Sequence, residues 1–139
     1  MHQKFQDRAQ FVLIYLREAH PKGGWEMSDW SVLTDPTDIA GRIGVAAHCS
    51  KELKFDFPIV VDTMDDDTAV RWSGWPERLF VLSKEGKVAY TGDMGPFGFH
   101  PSVAYAGFNG RKAGLCMEEF LDAYLGAPAG KAVAPAGSE

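Results

Sequence analysis

The sequence predicts a mixed α/β domain, a sheet with helices on its faces. Three observations carry this expectation. An apolar strand is followed, after a long loop, by a helix and then a short β-branched strand; two further strands are joined by a tight turn; and an amphipathic helix comes last. A strand returning through a crossover helix pairs in parallel, whereas strands joined by a tight turn pair antiparallel, so both kinds of ladder are expected in one chain. With 139 residues, 45% of them hydrophobic, the chain suits one domain with one core.

The elements follow in order. MHQKFQDRAQ is polar and favours helix, and it runs without a turn signal into FVLIYLREAH, an apolar strand over Phe11 to Leu16 that ends in charge. Pro21, Gly23, Gly24 and Pro36 then forbid long regular structure, so a long loop is expected. Asp38 is placed to cap a helix from Ile39 to Phe55, with Ile39, Ile43, Ala46, Ala47 and Leu53 on its apolar face. Phe57 to Val61 reads as a short strand closed by Asp62. The acidic run Asp65, Asp66, Asp67 opens a short helix that ends before Gly74, since carboxylates favour the positive end of a helix dipole. Arg78 to Leu82 and Lys87 to Thr91 form a hairpin around Ser83-Lys84-Glu85-Gly86, with glycine where the turn needs a positive φ. Cys116 to Leu125 is an amphipathic helix with Met117, Phe120, Leu121 and Tyr124 inward. The domain is thus expected over 1–125, and the Ala, Gly and Pro tail over 126–139 is expected to be disordered.

Charge and composition exclude several roles. A formal net charge of −5 without a dense run of Lys or Arg argues against nucleic acid and anionic membrane as partners. The Phe11 to Leu16 stretch is far short of the ~20 apolar residues that cross a bilayer, and no leader pattern opens the chain, so a soluble, unprocessed protein is expected. Cys49 and Cys116 form neither a CxxC pair nor a zinc knuckle, which points to the reducing cytoplasm. Asp62 and Asp65 to Asp67 lack the ligand order of a calcium loop and read as helix-capping charge, so neither metal nor cofactor is expected.

Three segments carry a resemblance. FVLIYLREAHPKGGW, VVDTMDDD and PERLFVLSKEGKVAYTGDMGPFGF together resemble the iodothyronine deiodinase family, which has an apolar strand followed by EAHPxDGW, a strand with Asp-Thr-Met, and an ERLYV strand with a return strand and a Gly-Pro-Phe turn. The similarity runs over roughly residues 1 to 99 and resumes at the last helix, and the spacing from His20 to Glu77 and Arg78 is kept without a net insertion. The resemblance implies a thioredoxin fold, with a cis-proline facing the site at Trp75-Pro76. It also implies reductive removal of iodine from iodothyronines by a selenocysteine, or a cysteine in some relatives.

The same comparison marks departures. The family's nucleophile lies in a strand and loop upstream of the helix with which this chain begins, so an N-terminally truncated domain, missing the first strand of its sheet and the redox nucleophile, is expected. Met94 stands where the hormone-cleaving enzymes carry a basic residue before Gly-Pro, and Pro36 or a neighbour stands where they carry a loop histidine. The stretch from Val103 to Leu115 has no match in the animal enzymes. Without the first strand, the strands at Phe11 to Leu16 and Arg78 to Leu82 are expected to close onto each other or to self-associate, a homodimer being possible.

The candidate residues follow. By the resemblance His20 contacts the phenolic oxygen of the substrate; a titrating imidazole can donate to a phenolate or relay a proton, or simply close the strand with a backbone hydrogen bond. Glu18 is placed to set the imidazole tautomer. Glu77 and Arg78 follow Pro76 and alternate across the pleat, so one of them is expected to face the site. Trp25 can form an aromatic wall for a flat ring, and Trp30 can cap the core beneath the loop. Cys49 follows His48 on a helix, where neighbours in sequence diverge, so a Cys-His nucleophile is disfavoured. Cys116, at a helix start where the dipole lowers a thiol pKa, lacks an evident basic partner. The expected function is a deiodinase-like redox protein, inactive as this chain, that binds a small aromatic substrate and meets a thiol reductant. The alternatives are a non-catalytic thioredoxin-fold binding module and a fragment of a peroxiredoxin-like thiol peroxidase.

Overall fold

The computed structural model describes residues 1–27, 33–102 and 114–126. Within them the chain runs α1 (His2–Phe5), β1 (Leu13–Tyr15), α2 (Ile39–Leu53), β2 (Ile59–Val61), α3 (Asp67–Trp72), β3 (Phe80–Leu82), β4 (Val88–Thr91) and α4 (Met117–Leu125). The mixed α/β, thioredoxin-like class expected from the sequence is the class observed. Among the described residues no helix is long and apolar enough to cross a membrane. Trp30, residues 103–113 and the expected tail from 127 onward lie outside the described residues.

Apolar β1 and β-branched β2 pair in parallel, Leu13 with Ile59, Ile14 with Val60 and Tyr15 with Val61, and the Asp62 N–H extends the ladder to the Tyr15 carbonyl at 2.8 Å. The crossover between them is α2, which packs on β2. Asp38 caps it as expected, its Oδ1 accepting from the Gly41 N–H at 2.7 Å, and Lys54 closes it in the left-handed region at φ 53°. The expected inward face differs: Ile39, Ile43, Leu53 and Ala47 are exposed, and the buried residues are Arg42 and Ala46. The physical reason is Arg42, whose guanidinium turns this face toward the end of β2. There its Nη1 donates to the Thr63 carbonyl at 2.6 Å and to Asp66 Oδ1 at 3.1 Å.

Asp62 governs the next turn. It is only 2% exposed, and its carboxylate accepts from the N–H groups of Thr63 at 2.9 Å, Thr68 at 3.0 Å and Ala69 at 2.8 Å. A single buried side chain therefore satisfies the free donors at the start of α3, a need that every helix N-terminus has. The acidic run does not cap α3 with its own side chains. Asp66 takes the left-handed N-cap position at φ 57° without a capping bond and turns to Arg42 and Arg17, while Asp67 pairs with Arg71 at 2.6 Å.

β3 and β4 form the expected antiparallel hairpin, with Gly86 at φ 74° in the turn and an irregular step between Val81 and Leu82. The core lies against this hairpin: Phe5, Met117 and Leu121 are buried, with Met1, Ala9, Phe11, Leu79, Val81, Tyr90 and Leu125 packed around them. Each such side chain contributes on the order of 1.5 to 3 kcal/mol by leaving water. Tyr124, expected inward on α4, is 49% exposed, and Leu125 takes the inward place. α1 is held on α4 by Lys4, which donates to Glu118 at 2.9 Å and Asp122 at 2.6 Å.

The sheet itself corrects one expectation. β1 does not close onto β3: among the described residues there are two separate two-stranded sheets, β1-β2 and β3-β4. Side chains join them instead, because Phe11 packs against the core cluster on one side and against His2 and Phe57, at ring distances of 5.1 and 6.0 Å, on the other.

Burial pushes the Asp62 carboxyl up, but the hydrogen bonds from Ala69, Thr68 and Thr63 outweigh it and hold the group below the usual aspartate range. A carboxyl whose folded pKa is depressed contributes stability that is present above its unfolded pKa and is lost as pH falls through the folded value. Replacing Asp62 by Asn is expected to cost about 2 to 4 kcal/mol at neutral pH and to flatten the acid limb of the stability curve. Urea denaturation of both proteins from neutral to acid pH checks this; a variant within about 0.5 kcal/mol of the parent, the ordinary scatter of surface substitutions, contradicts it.

Candidate functional site

β1 ends at Tyr15, and the chain that leaves it carries Arg17, Glu18 and His20. The Glu18 N–H donates to Asp35 Oδ1 at 3.2 Å, which pins the strand end to the far side of the long loop. Burial raises the Glu18 carboxyl above its ordinary range, and the charge of Asp35 raises it further. Cys49 of α2 belongs to the same neighbourhood: burial pushes its thiol up, and Glu18 adds to the effect. This thiol is kept protonated, the opposite of what a thiolate nucleophile requires.

His20 Nδ1 lies 3.1 Å from the Trp25 carbonyl oxygen. A carbonyl only accepts, so this contact places the proton on Nδ1 and leaves Nε2 of a neutral ring as the acceptor. The Trp25 indole and the imidazole meet in an edge-type contact with centroids 4.8 Å apart, and the indole is itself 70% exposed, so it is accessible to a flat ligand.

Glu77 arrives from the other sheet. It follows the Trp75-Pro76 bond, which is cis as the resemblance implies, and precedes β3. Burial raises its carboxyl above the usual range, and the nearby His20 partly offsets that rise. Its carbonyl accepts from the Gly95 N–H at 2.9 Å, and a Cβ on Gly95 would overlap the Glu77 carboxyl group. A side chain at 95 would therefore displace the Glu77 carboxyl, under which the Gly-Pro turn passes.

Arg78 is turned the other way. Its Nε donates to the Gly92 carbonyl at 2.8 Å and Nη1 to Ser73 at 3.4 Å, with the guanidinium 5.4 Å from the Phe80 ring centre, so it braces the hairpin against the end of α3. Of the expected pair, Glu77 faces His20 and Arg78 does not. Cys116 is buried as the N-cap of α4: its Sγ accepts from the Glu119 N–H at 3.4 Å, while Glu119 Oε2 accepts from the Cys116 N–H at 3.1 Å.

The structure thus brings Glu18, His20, Trp25, Pro76 and Glu77 to one region at the junction of the two sheets. Sequence reasoning missed Asp35 and Gly95. The signal for Gly95 was the Gly-Pro-Phe turn itself; Asp35, one polar residue in a loop of many, gave none.

The raised Glu77 carboxyl has a consequence for stability. An acid whose folded pKa lies above its unfolded value binds its proton more readily in the folded state, so stability falls as pH rises between the two values. Glu77→Gln is expected to be more stable than the parent at neutral pH, with the difference vanishing below the ordinary glutamate range near pH ~4. Thermal melting across that pH range checks it; a destabilised variant at neutral pH contradicts it.

Comparison with known proteins identifies the family of the chain. The family model for iodothyronine deiodinase matches residues 1–106. The chain is 33% identical over 98 residues to a type I iodothyronine deiodinase of Xenopus laevis, covering 70% of this chain and 38% of that protein. It is 38% identical over 95 residues to a thyroxine 5-deiodinase of Gallus gallus, covering 68% of this chain and 36% of that one. A thyroxine 5-deiodinase of Homo sapiens is 30% identical over 100 residues, with 71% and 32% covered. The chain spans about a third of the length of these curated relatives. It belongs to the iodothyronine deiodinase family.

Proposed function

We propose that this chain binds a small halogenated phenol at the junction of its two sheets, as the ring-binding part of a deiodinase-like redox protein. One observation carries the reading: His20 and Glu77, from segments of different sheets, lie within electrostatic reach of each other, and His20 contacts the exposed Trp25 ring. Nε2 of His20, left free by the bond from Nδ1 to Trp25, accepts the phenolic proton or donates to the phenolate. The Trp25 face receives the ring, and a Glu77 carboxyl that takes up a proton readily can pass one to His20. The relatives' names, iodothyronine and thyroxine deiodinases, support an iodinated phenol as the ligand class.

Reductive loss of iodide needs two electrons and a proton, delivered in this family through a selenol or thiol. In this chain Cys49 is held protonated and Cys116 is buried, 1% exposed, so neither supplies the attacking sulfur. The chain of 139 residues therefore binds without turnover, and a thiol reductant acts only with a nucleophile from elsewhere. A reducing compartment suits both free thiols. The same observation favours a second reading, a binding module with no redox step at all.

Titration of the purified chain with 2,6-diiodophenol is expected to show saturable binding that weakens about tenfold in His20→Ala, the loss of roughly one hydrogen bond. With dithiothreitol added, iodide release should stay at background. Unsaturable binding, or binding unchanged in the variant, contradicts the site; iodide release abolished by Cys116→Ser contradicts the assignment of the thiols.

A further inference from the structure

Glu77 and His20 belong to segments that share no backbone ladder among the described residues, since β1 pairs with β2 and β3 pairs with β4. Their approach therefore depends on side chains that cross between the sheets. Arg17 makes such a crossing. Its guanidinium carbon lies 4.9 Å from the centre of the Trp75 ring, within the range of a cation-π contact. Its Nε lies 3.6 Å from Asp66 Oδ2, and the other oxygen of that carboxylate accepts from buried Arg42 at 3.1 Å. Trp75 is followed directly by Pro76 and Glu77.

We propose that Arg17 is the positioning residue of this site: held by Asp66, it stacks on Trp75 and so fixes the Trp75-Pro76-Glu77 segment against the strand end that carries Glu18 and His20. The purpose of the site rests on the reading above; the geometry does not. Asp66 is suited to the task because it is anchored at a left-handed turn beneath Arg42, and its carboxylate is mostly shielded, with 20% of the side chain exposed against 47% for Arg17. Arginine suits it as well, since a planar guanidinium can lie on a ring and still direct an N–H in its own plane to a carboxylate. A lysine ammonium can keep the ring contact and must give up that fork. Leu16 supports the same approach, lying at ordinary contact distance from the position a Cβ on Gly74 would occupy.

Glu77 reports on the positioning. The ionisable group that bears on it is His20, from the segment after β1; on its own segment Arg78 is turned to the carbonyls of Ser73 and Gly92. If Arg17 releases Trp75, the segment moves toward water and the Glu77 carboxyl loses the burial that raises it. The test is NMR on the full chain, without ligand. In the unmodified protein the Arg17 side-chain protons are expected upfield of their random-coil positions through the Trp75 ring current, and to return in Trp75→Leu. The Glu77 carboxyl carbon is expected to titrate above the ordinary glutamate range in the parent, near the ordinary range in Arg17→Met, and between the two in Arg17→Lys and Asp66→Asn.

Identical Glu77 titration in the parent and in folded Arg17→Met overturns the proposal. So do random-coil shifts for the Arg17 protons in the unmodified protein, a result that stands even where Arg17→Met does not fold. A protein that shows this coupling but fails to bind 2,6-diiodophenol refutes the proposed function and leaves the positioning role intact.

Discussion

The junction of β2 and α3 is built around one buried carboxylate, and much of the remaining architecture is arranged to keep it satisfied. Asp62 takes the Thr63 N–H and two further N–H groups, of Thr68 and Ala69, that the first turn of α3 would otherwise leave open, and the Arg42 guanidinium beneath it collects the Thr63 carbonyl and Asp66. A buried charge without partners costs several kcal/mol, so neither group tolerates loss of the other's surroundings. The consequence reaches along the chain. α2 presents Arg42 rather than its isoleucines to the sheet, Asp66 is left free to hold Arg17, and α3 ends where Trp75 and Pro76 lead into β3.

The candidate site lies where the two sheets meet, and its electrostatics set binding against stability. Glu18, Glu77 and Cys49 all have their protonated forms favoured, chiefly by burial. The two carboxyls destabilise a fold near neutral pH, and acids of this kind are retained where a proton must be held or passed. Asp62 is the opposite case, a carboxylate whose charge is stabilised by donors and whose role is structural. The carboxyls of one small domain are thus separated by what surrounds them, and the two whose protonated forms burial favours belong to the segments that carry His20 and follow Pro76.

Much of this was legible in the sequence where the rule is local. The Asp38 cap, the positive φ of Gly86, the hairpin and the closing helix each follow from one or two residues with a fixed steric or hydrogen-bonding preference. The cis bond at Trp75-Pro76 and the expectation that Glu77 or Arg78 faces the site of His20 came with the resemblance, because only it carried spacing across distant segments. What periodicity mistook was the face of α2: a long, flexible arginine is counted as polar surface, whereas here its guanidinium finds carbonyls and a carboxylate deep in the junction. The acidic run misled for a related reason. All four aspartates read as capping charge, yet only Asp62, which sits at the end of a strand and reaches the helix through space, accepts its N–H groups. Long-range partners such as Asp35 for Glu18 leave no periodic trace at all.

In the proposed function His20 and Glu77 act together on one ligand although they lie on segments of different sheets. A double-mutant cycle on 2,6-diiodophenol affinity tests this most directly, comparing the parent, His20→Ala, Glu77→Gln and the double variant. Two residues in one network are predicted to show a coupling free energy above about 0.5 kcal/mol, the double variant binding better than the sum of the single losses implies. Additive losses, within about 0.3 kcal/mol, would show two independent groups and contradict a shared site.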